Sequence, residues 1–127
     1  MRIALDTNRY VDFCKGDPET VPIVREAEEI YLPFVVVAEL RAGFLWGAQG
    51  KENEKILVRF LNSPRVRMIY PDDQSTHHYA RLFYQLRKQG TPIPTNDLWI
   101  ATLTVQHDLI LCSRDQHFDH LAQIPRA

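Results

Sequence analysis

The stretch Arg2-Ile3-Ala4-Leu5-Asp6-Thr7-Asn8 decides how the rest of the chain is read. Its first residues form an apolar run too short for a helix. The run stops on three residues whose side chains bond readily to nearby backbone, so it reads as a buried central strand leading into a turn. The same pattern recurs at Ile30-Tyr31-Leu32, at Val66, Met68 and Ile69, and at Leu109-Ile110-Leu111-Cys112. Between these runs the apolar spacing is helical. Tyr10, Val11 and Phe13 to Cys14 suit a short helix stopped at Gly16-Asp17-Pro18, and residues 20–28 suggest a second. From Val36, Leu40, Phe44 and Leu45 share a face; from Glu52 to Asn62, Ile56, Leu57, Phe60 and Leu61 do. Asp72-Asp73 caps a helix carrying Tyr79, Leu82, Phe83 and Leu86, which Gly90 ends. From Asp97 to about His107 apolar residues run nearly all round, as expected of a central helix, and residues 117–122 suggest a last turn. Short apolar strands alternating with helices predict a parallel sheet covered on both faces. The expected fold is α/β: one domain over residues 1–127, an α/β/α sandwich with a mostly parallel four- to five-stranded sheet.

Bulk properties narrow the function classes. A net charge of −1 argues against binding nucleic acid through overall basicity. The two cysteines, Cys14 and Cys112, have no CxxC spacing and sit among apolar neighbours, so they read as reduced core thiols. No apolar stretch approaches the ~20 residues of a membrane span. The start is too short and too soon acidic for a signal peptide. A cytoplasmic protein without membrane contact is expected.

Four acidic residues carry the functional argument: Asp6, Glu39, Asp97 and Asp115. Each lies where a strand ends or a helix begins, and in an α/β fold such ends converge on one rim of the sheet. Singly, each has an ordinary structural reading. Asp6, Asp97 and Asp115 suit helix caps or turns. Glu39, set among Val36, Val37, Ala38 and Leu40, is costly to bury unless it pairs with Arg41 or Arg25 or meets a metal. Jointly they suggest a cation site, because clustered carboxylates repel one another. His77-His78 and His117-x-x-His120 lack a third ligand at zinc spacing.

These residues resemble a known family. Asp6-Thr7-Asn8 after the first strand, Glu39 in a helix, Thr95-Asn-Asp-Leu-Trp-Ile-Ala101 and Ser113-Arg-Asp-Gln-His-Phe118 are similar to PIN-domain nucleases, in particular VapC-type toxin ribonucleases of toxin–antitoxin pairs. The resemblance spans nearly the whole chain. It implies that Asp6, Glu39, Asp97 and Asp115 form a catalytic acidic quartet that binds Mg²⁺, with Mn²⁺ an alternative, and hydrolyses RNA to a 5′-phosphate and a 3′-hydroxyl. It implies supporting polar roles for Asn8 and Ser113. Where many members carry a further acid, this chain has His117, which leaves a second metal position open; His117 and Arg114 become candidate substrate contacts. It also implies a cognate VapB-like antitoxin laid into a groove near Phe44-Leu45-Trp46, and a homodimer. Lys51, Lys55 and Arg59 recur along one helix face and suggest an RNA track.

A second reading stays open: a non-catalytic α/β interaction module whose acidic rim binds a basic partner. A haloacid-dehalogenase phosphatase needs a second Asp where Asn8 stands, and a receiver domain needs paired acids that are missing.

Overall fold

The computed structural model describes residues 1–127. Along the chain run β1 (Arg2–Leu5), α1 (Thr7–Cys14), α2 (Thr20–Glu26), β2 (Glu29–Pro33), α3 (Phe34–Trp46), α4 (Gly50–Leu61), β3 (Val66–Ile69), α5 (Asp73–Gln89), α6 (Thr95–Gln106) and β4 (Ile110–Cys112), followed by a 3₁₀ turn (Gln116–His120). The four strands are parallel, in the order β3-β2-β1-β4. Consecutive strand residues point to opposite faces, and Ile3, Ala4 and Leu5 are all fully buried. Both faces of the sheet are therefore covered, as the unbroken apolar runs predict. In place of a fifth strand there is a single parallel bridge between Leu111 and Arg126. There the Leu111 N–H donates to the Pro125 carbonyl at 2.8 Å, and the Ala127 N–H donates to that of Leu111 at 3.0 Å.

Helix starts differ from the sequence reading in ways that move the site. Helix α3 begins at Phe34, directly after Pro33, and not at Val36. Pro94 is the N-cap of α6, so Asn96 and Asp97 lie within its first turn and do not open it. In both cases proline supplies a fixed φ where no N–H partner is needed. Helices α3 and α6 contact each other, and each also touches β2. Trp99 of α6 is half-buried, with its ring 4.6 Å from Tyr79 of α5 and 6.0 Å from Phe34 of α3.

Two expectations of burial fail. Cys14, the last residue of α1, is exposed, while Val11 and Phe13 of the same turn pack against the core. Leu45 does not share the buried face of Leu40: it is 90% exposed and its neighbour Trp46 is 93% exposed, at the free C-terminal end of α3.

Helix α5 starts with a capping box. Asp72 accepts the Ser75 N–H, Ser75 Oγ accepts the Asp72 N–H, and Gln106 of α6 donates to Asp72 Oδ1 at 2.9 Å. The Gln106 hydrogen bond, with help from the Ser75 N–H, holds the Asp72 carboxyl below its ordinary pKa. Its contribution to stability is therefore complete above the ordinary aspartate range and is lost as pH falls through its depressed folded value. Asp72→Ala should lower the urea midpoint at pH 7, with the gap between wild type and variant narrowing as pH falls below the ordinary aspartate range; a gap that does not change with acidification would show that the charge is irrelevant.

Candidate metal centre

Strand pairing sets the height at which the acids emerge. Ile3 pairs with Ile110, Ala4 with Leu111 and Leu5 with Cys112, so β1 and β4 end side by side. The Asp6 N–H still reaches the Cys112 carbonyl, at 3.3 Å. Strand order runs 3-2-1 in one direction and then turns back to β4. The crevice beyond β1 and β4 is thus the topological switch point of the sheet, the ordinary position of a site in an open α/β fold.

Asp6 is only 5% exposed. It caps α1, accepting the Arg9 N–H on Oδ1 at 2.9 Å, and it accepts the Ser113 hydroxyl on Oδ2. Capping leaves it able to accept further contacts, since each carboxylate oxygen keeps a second lone pair. The Ser113 oxygen in turn accepts the Asp115 N–H at 3.0 Å, so one hydroxyl ties together the loops that leave β1 and β4. Burial pushes the Asp6 carboxyl above its ordinary pKa, offset by the Ser113 and Arg9 hydrogen bonds and reinforced by the nearby charge of Asp115.

Asp97 projects from the first turn of α6, and burial raises its pKa as well. Asp115 caps the 3₁₀ turn by accepting the His117 N–H at 2.9 Å. The His117 ring lies between these two acids, its Nδ1 2.7 Å from Asp97 Oδ2 and 3.1 Å from Asp115 Oδ1. The hydrogen bond to Asp97 raises the imidazole pKa above its usual value. One donor atom from each of Asp97, Asp115 and His117 falls within 4.8 Å of the others. His117 thus sits inside the acidic cluster and does not merely mark a missing acid beside it.

Other sequence candidates take different places. Glu39 is exposed, so the cost of burying it gives no argument for a metal; Arg41 pairs with Glu54 and leaves it free. The Glu39 carboxylate instead accepts the Thr7 hydroxyl at 2.9 Å, which fixes it on the rim next to Asp6. Thr7 was legible only as a turn residue. Asn8 is exposed in the first turn of α1. Arg114 forks onto Asp12 at 2.9 and 3.4 Å, so its guanidinium is engaged by a carboxylate of α1. Lys51, Lys55 and Arg59 are exposed on α4 but alternate with Glu52 and Glu54, and their charges largely offset one another.

The PIN-domain family model matches residues 3–124, which carry every one of these acids. The chain belongs to the PIN-domain family. Ribonuclease VapC1 of Haemophilus influenzae (strain R2866) is 32% identical over 117 residues, covering 87% of this chain and 84% of the relative. VapC ribonuclease Y4jK of Sinorhizobium fredii is 28% identical, covering 89% and 86%. Among solved structures, VapBC-1 from nontypeable Haemophilus influenzae superposes with a TM-score of 0.87 at 26% identity, covering 100% of this chain and 97% of that one. The PIN fold thus accounts for the strand order and for the crevice in which Asp6, Asp97 and Asp115 meet.

Removing the Ser113 hydroxyl in Ser113→Ala should move the Asp6 pKa further up, because that hydrogen bond stabilises the ionised form. A carbon-13 NMR titration of the aspartate carboxyls reads the shift directly. An unmoved Asp6 resonance would show that the hydroxyl bonds elsewhere in solution.

Proposed function

We propose that this chain is a metal-dependent endoribonuclease toxin, held inactive by a cognate VapB-like antitoxin, with one PIN-type nuclease unit over residues 1–127. The observation that carries the reading is the cluster of Asp97, Asp115 and His117 at the β1/β4 switch point of a PIN-domain chain, with Asp6 tied to Asp115 through the Ser113 hydroxyl. The names of the VapC ribonuclease relatives and of the VapBC structure support the activity and the partner.

The donor set fits a hard divalent cation. Asp97 and Asp115 offer carboxylate oxygens within reach of one ion, with Asp6 tied to Asp115 through Ser113, and the pair already meets the Nδ1 edge of an imidazole. Mg²⁺ suits the carboxylates; the nearby His117 nitrogen makes Mn²⁺ an equal candidate. When bound, the ion supplies charge to polarise a phosphodiester and to acidify water.

The chain's own groups do the rest. Asp97 and Asp115 present the ligating oxygens from a rigid helix turn and a capped loop. Ser113 fixes the rotamer of Asp6 and the backbone of Asp115 together. Glu39, steadied by Thr7, closes the rim. Asn8, exposed in the first turn of α1 close to Asp6 in the chain, serves as a polar contact for RNA or water. Arg114, committed to Asp12, adds positive potential beside the crevice without gripping phosphate directly. His117, 46% exposed, is free to turn outward and meet the substrate once a metal neutralises the acids. The exposed Leu45 and Trp46, next to a broad groove of about 960 Å³ lined partly by Phe44 and Leu45, offer an apolar surface for the antitoxin. The reading places this activity in the cytoplasm, where RNA is met; no helix is long and apolar enough to cross a membrane.

Asp6→Asn and Asp97→Asn should each abolish cleavage of RNA in Mg²⁺ or Mn²⁺, by at least about a hundredfold given the dependence of the chemistry on charge stabilisation. Asp6→Asn should keep the metal-free melting temperature or raise it, because asparagine still caps α1 and repulsion from Asp115 is relieved. Glu39→Gln, on the exposed rim, should cost less than Asp97→Asn. Unchanged cleavage in both aspartate variants, with lowered melting temperatures, would make the acids structural caps and favour an interaction module.

A further inference from the structure

The loop that carries Asp115 and His117 leaves the sheet after Cys112 and has no strand to hold it. Its carbonyls are taken up by a residue from the far end of the chain. Arg126 Nη2 donates to the Ser113 carbonyl at 2.8 Å and to the Asp115 carbonyl at 3.1 Å. Its Nη1 donates to Asp119 Oδ1 at 3.0 Å, and its guanidinium lies 5.8 Å from the ring of Phe118, a core residue that roots the 3₁₀ turn. The base of the same side chain is fixed by the bridge to Leu111 in β4. One residue is thus anchored on the last strand and reaches forward to clamp the loop that follows it. This clamping leaves Arg126 Nε buried without a partner, a local penalty that the fold tolerates.

We propose that Arg126 is a positioning residue for the metal site, acting through the Ser113 and Asp115 carbonyls to hold the Asp115 carboxylate in its ligating pose. The proposal rests on the metal reading of the acidic cluster. A planar guanidinium reaches two carbonyls and a carboxylate at once, and a lysine ammonium on a flexible stem does not reproduce that fork. The contact with Asp119 is the least important of the three, because that carboxylate is largely exposed and such pairs contribute little. The carbonyl bonds matter more. Ser113 also orients Asp6, so a slip of this loop disturbs two acids together. Partners that orient metal ligands typically change affinity about 10–100-fold when removed.

The test compares wild type with Arg126→Met, Arg126→Lys and Asp119→Asn. It reads Mn²⁺ affinity by calorimetry, the Mg²⁺ concentration for half-maximal RNA cleavage, and the metal-free melting temperature. Arg126→Met should weaken Mn²⁺ binding about tenfold or more and raise the half-saturating Mg²⁺ in step, with most of the cleavage rate recovered at saturating metal. Arg126→Lys should fall between it and wild type, and Asp119→Asn should stay within about twofold of wild type. A lower melting temperature in Arg126→Met with unchanged Mn²⁺ affinity and unchanged Mg²⁺ dependence would reduce Arg126 to a brace. If Arg126→Met does not fold, Arg126→Lys decides, and an unshifted Mg²⁺ dependence there overturns the proposal. Absence of Mn²⁺ binding in wild type, together with full cleavage by Asp97→Asn, would remove the metal reading itself and this inference with it.

Discussion

Everything in the crevice depends on the pairing of Leu5 with Cys112. Parallel strands in register end at the same height, so the residues that follow, Asp6 and Ser113, are delivered side by side although 107 positions separate them. A shift of one residue in either strand would turn every side chain to the opposite face and put the Asp6 carboxylate into the core. The register is protected by burial on both faces: Ile3, Ala4, Leu5, Leu111 and Cys112 are all completely enclosed. Burial also pushes the Cys112 thiol up to about 11, which keeps it neutral beside the acids.

Bringing carboxylates together in a nearly closed crevice costs free energy, and the chain offsets part of this with fixed charge behind the site. Arg9, buried in α1, donates to Thr20 and lies within 3.7 Å of both Asp12 and Asp17. Asp12 also holds Arg114. The result is an alternating chain of charges, Arg114–Asp12–Arg9–Asp17, of which Arg9 lowers the Asp6 pKa a little against the larger effect of burial. A buried arginine left without carboxylates would be strongly destabilising, so the pairing of Arg9 is a requirement of the fold as much as a service to the site. On the other side of the crevice, the His117 hydrogen bond acts on Asp97 in the same direction, against the effect of its burial.

The architecture was legible in the sequence because it rests on local signals. Apolar runs marked the strands, and Asp72, Gly90 and the period of α5 marked a helix end to end. The candidate acids were legible as positions at element ends but not as geometry. Asp6 and Asp115 proved to be caps, as their ordinary reading held, and to line the crevice as well, because a carboxylate has lone pairs enough for both. Glu39 does not have the burial its apolar neighbours suggest: it is exposed on α3, where the Thr7 hydroxyl, and not Arg41, meets it. His117 looked like a gap because spacing along the chain does not reveal a rotamer that folds the ring back onto Asp97, twenty residues earlier. Arg126 gave no signal at all. A lone arginine near the end of a chain acquires meaning only through contacts with carbonyls, which no pattern of side chains encodes.

Exposure separates the two functional readings that the sequence left open. An acidic rim built to bind a basic protein must present its carboxylates outward, where lysine and arginine side chains can reach them. Here Asp6 is buried, with its oxygens on the Arg9 N–H and the Ser113 hydroxyl, and the side chains of Asp97 and Asp115 are 18% and 28% exposed, each with one oxygen on the His117 ring. A guanidinium from another chain would have to shed its water and enter a crevice already filled by an imidazole, for contacts with groups whose hydrogen bonds are largely made. A small ion has no such difficulty. It needs only converging oxygens, and its charge relieves the repulsion that their convergence creates. The geometry that disfavours a docked protein favours a small cation, with Glu39 and Asn8 left exposed beside it to meet what the cation attracts.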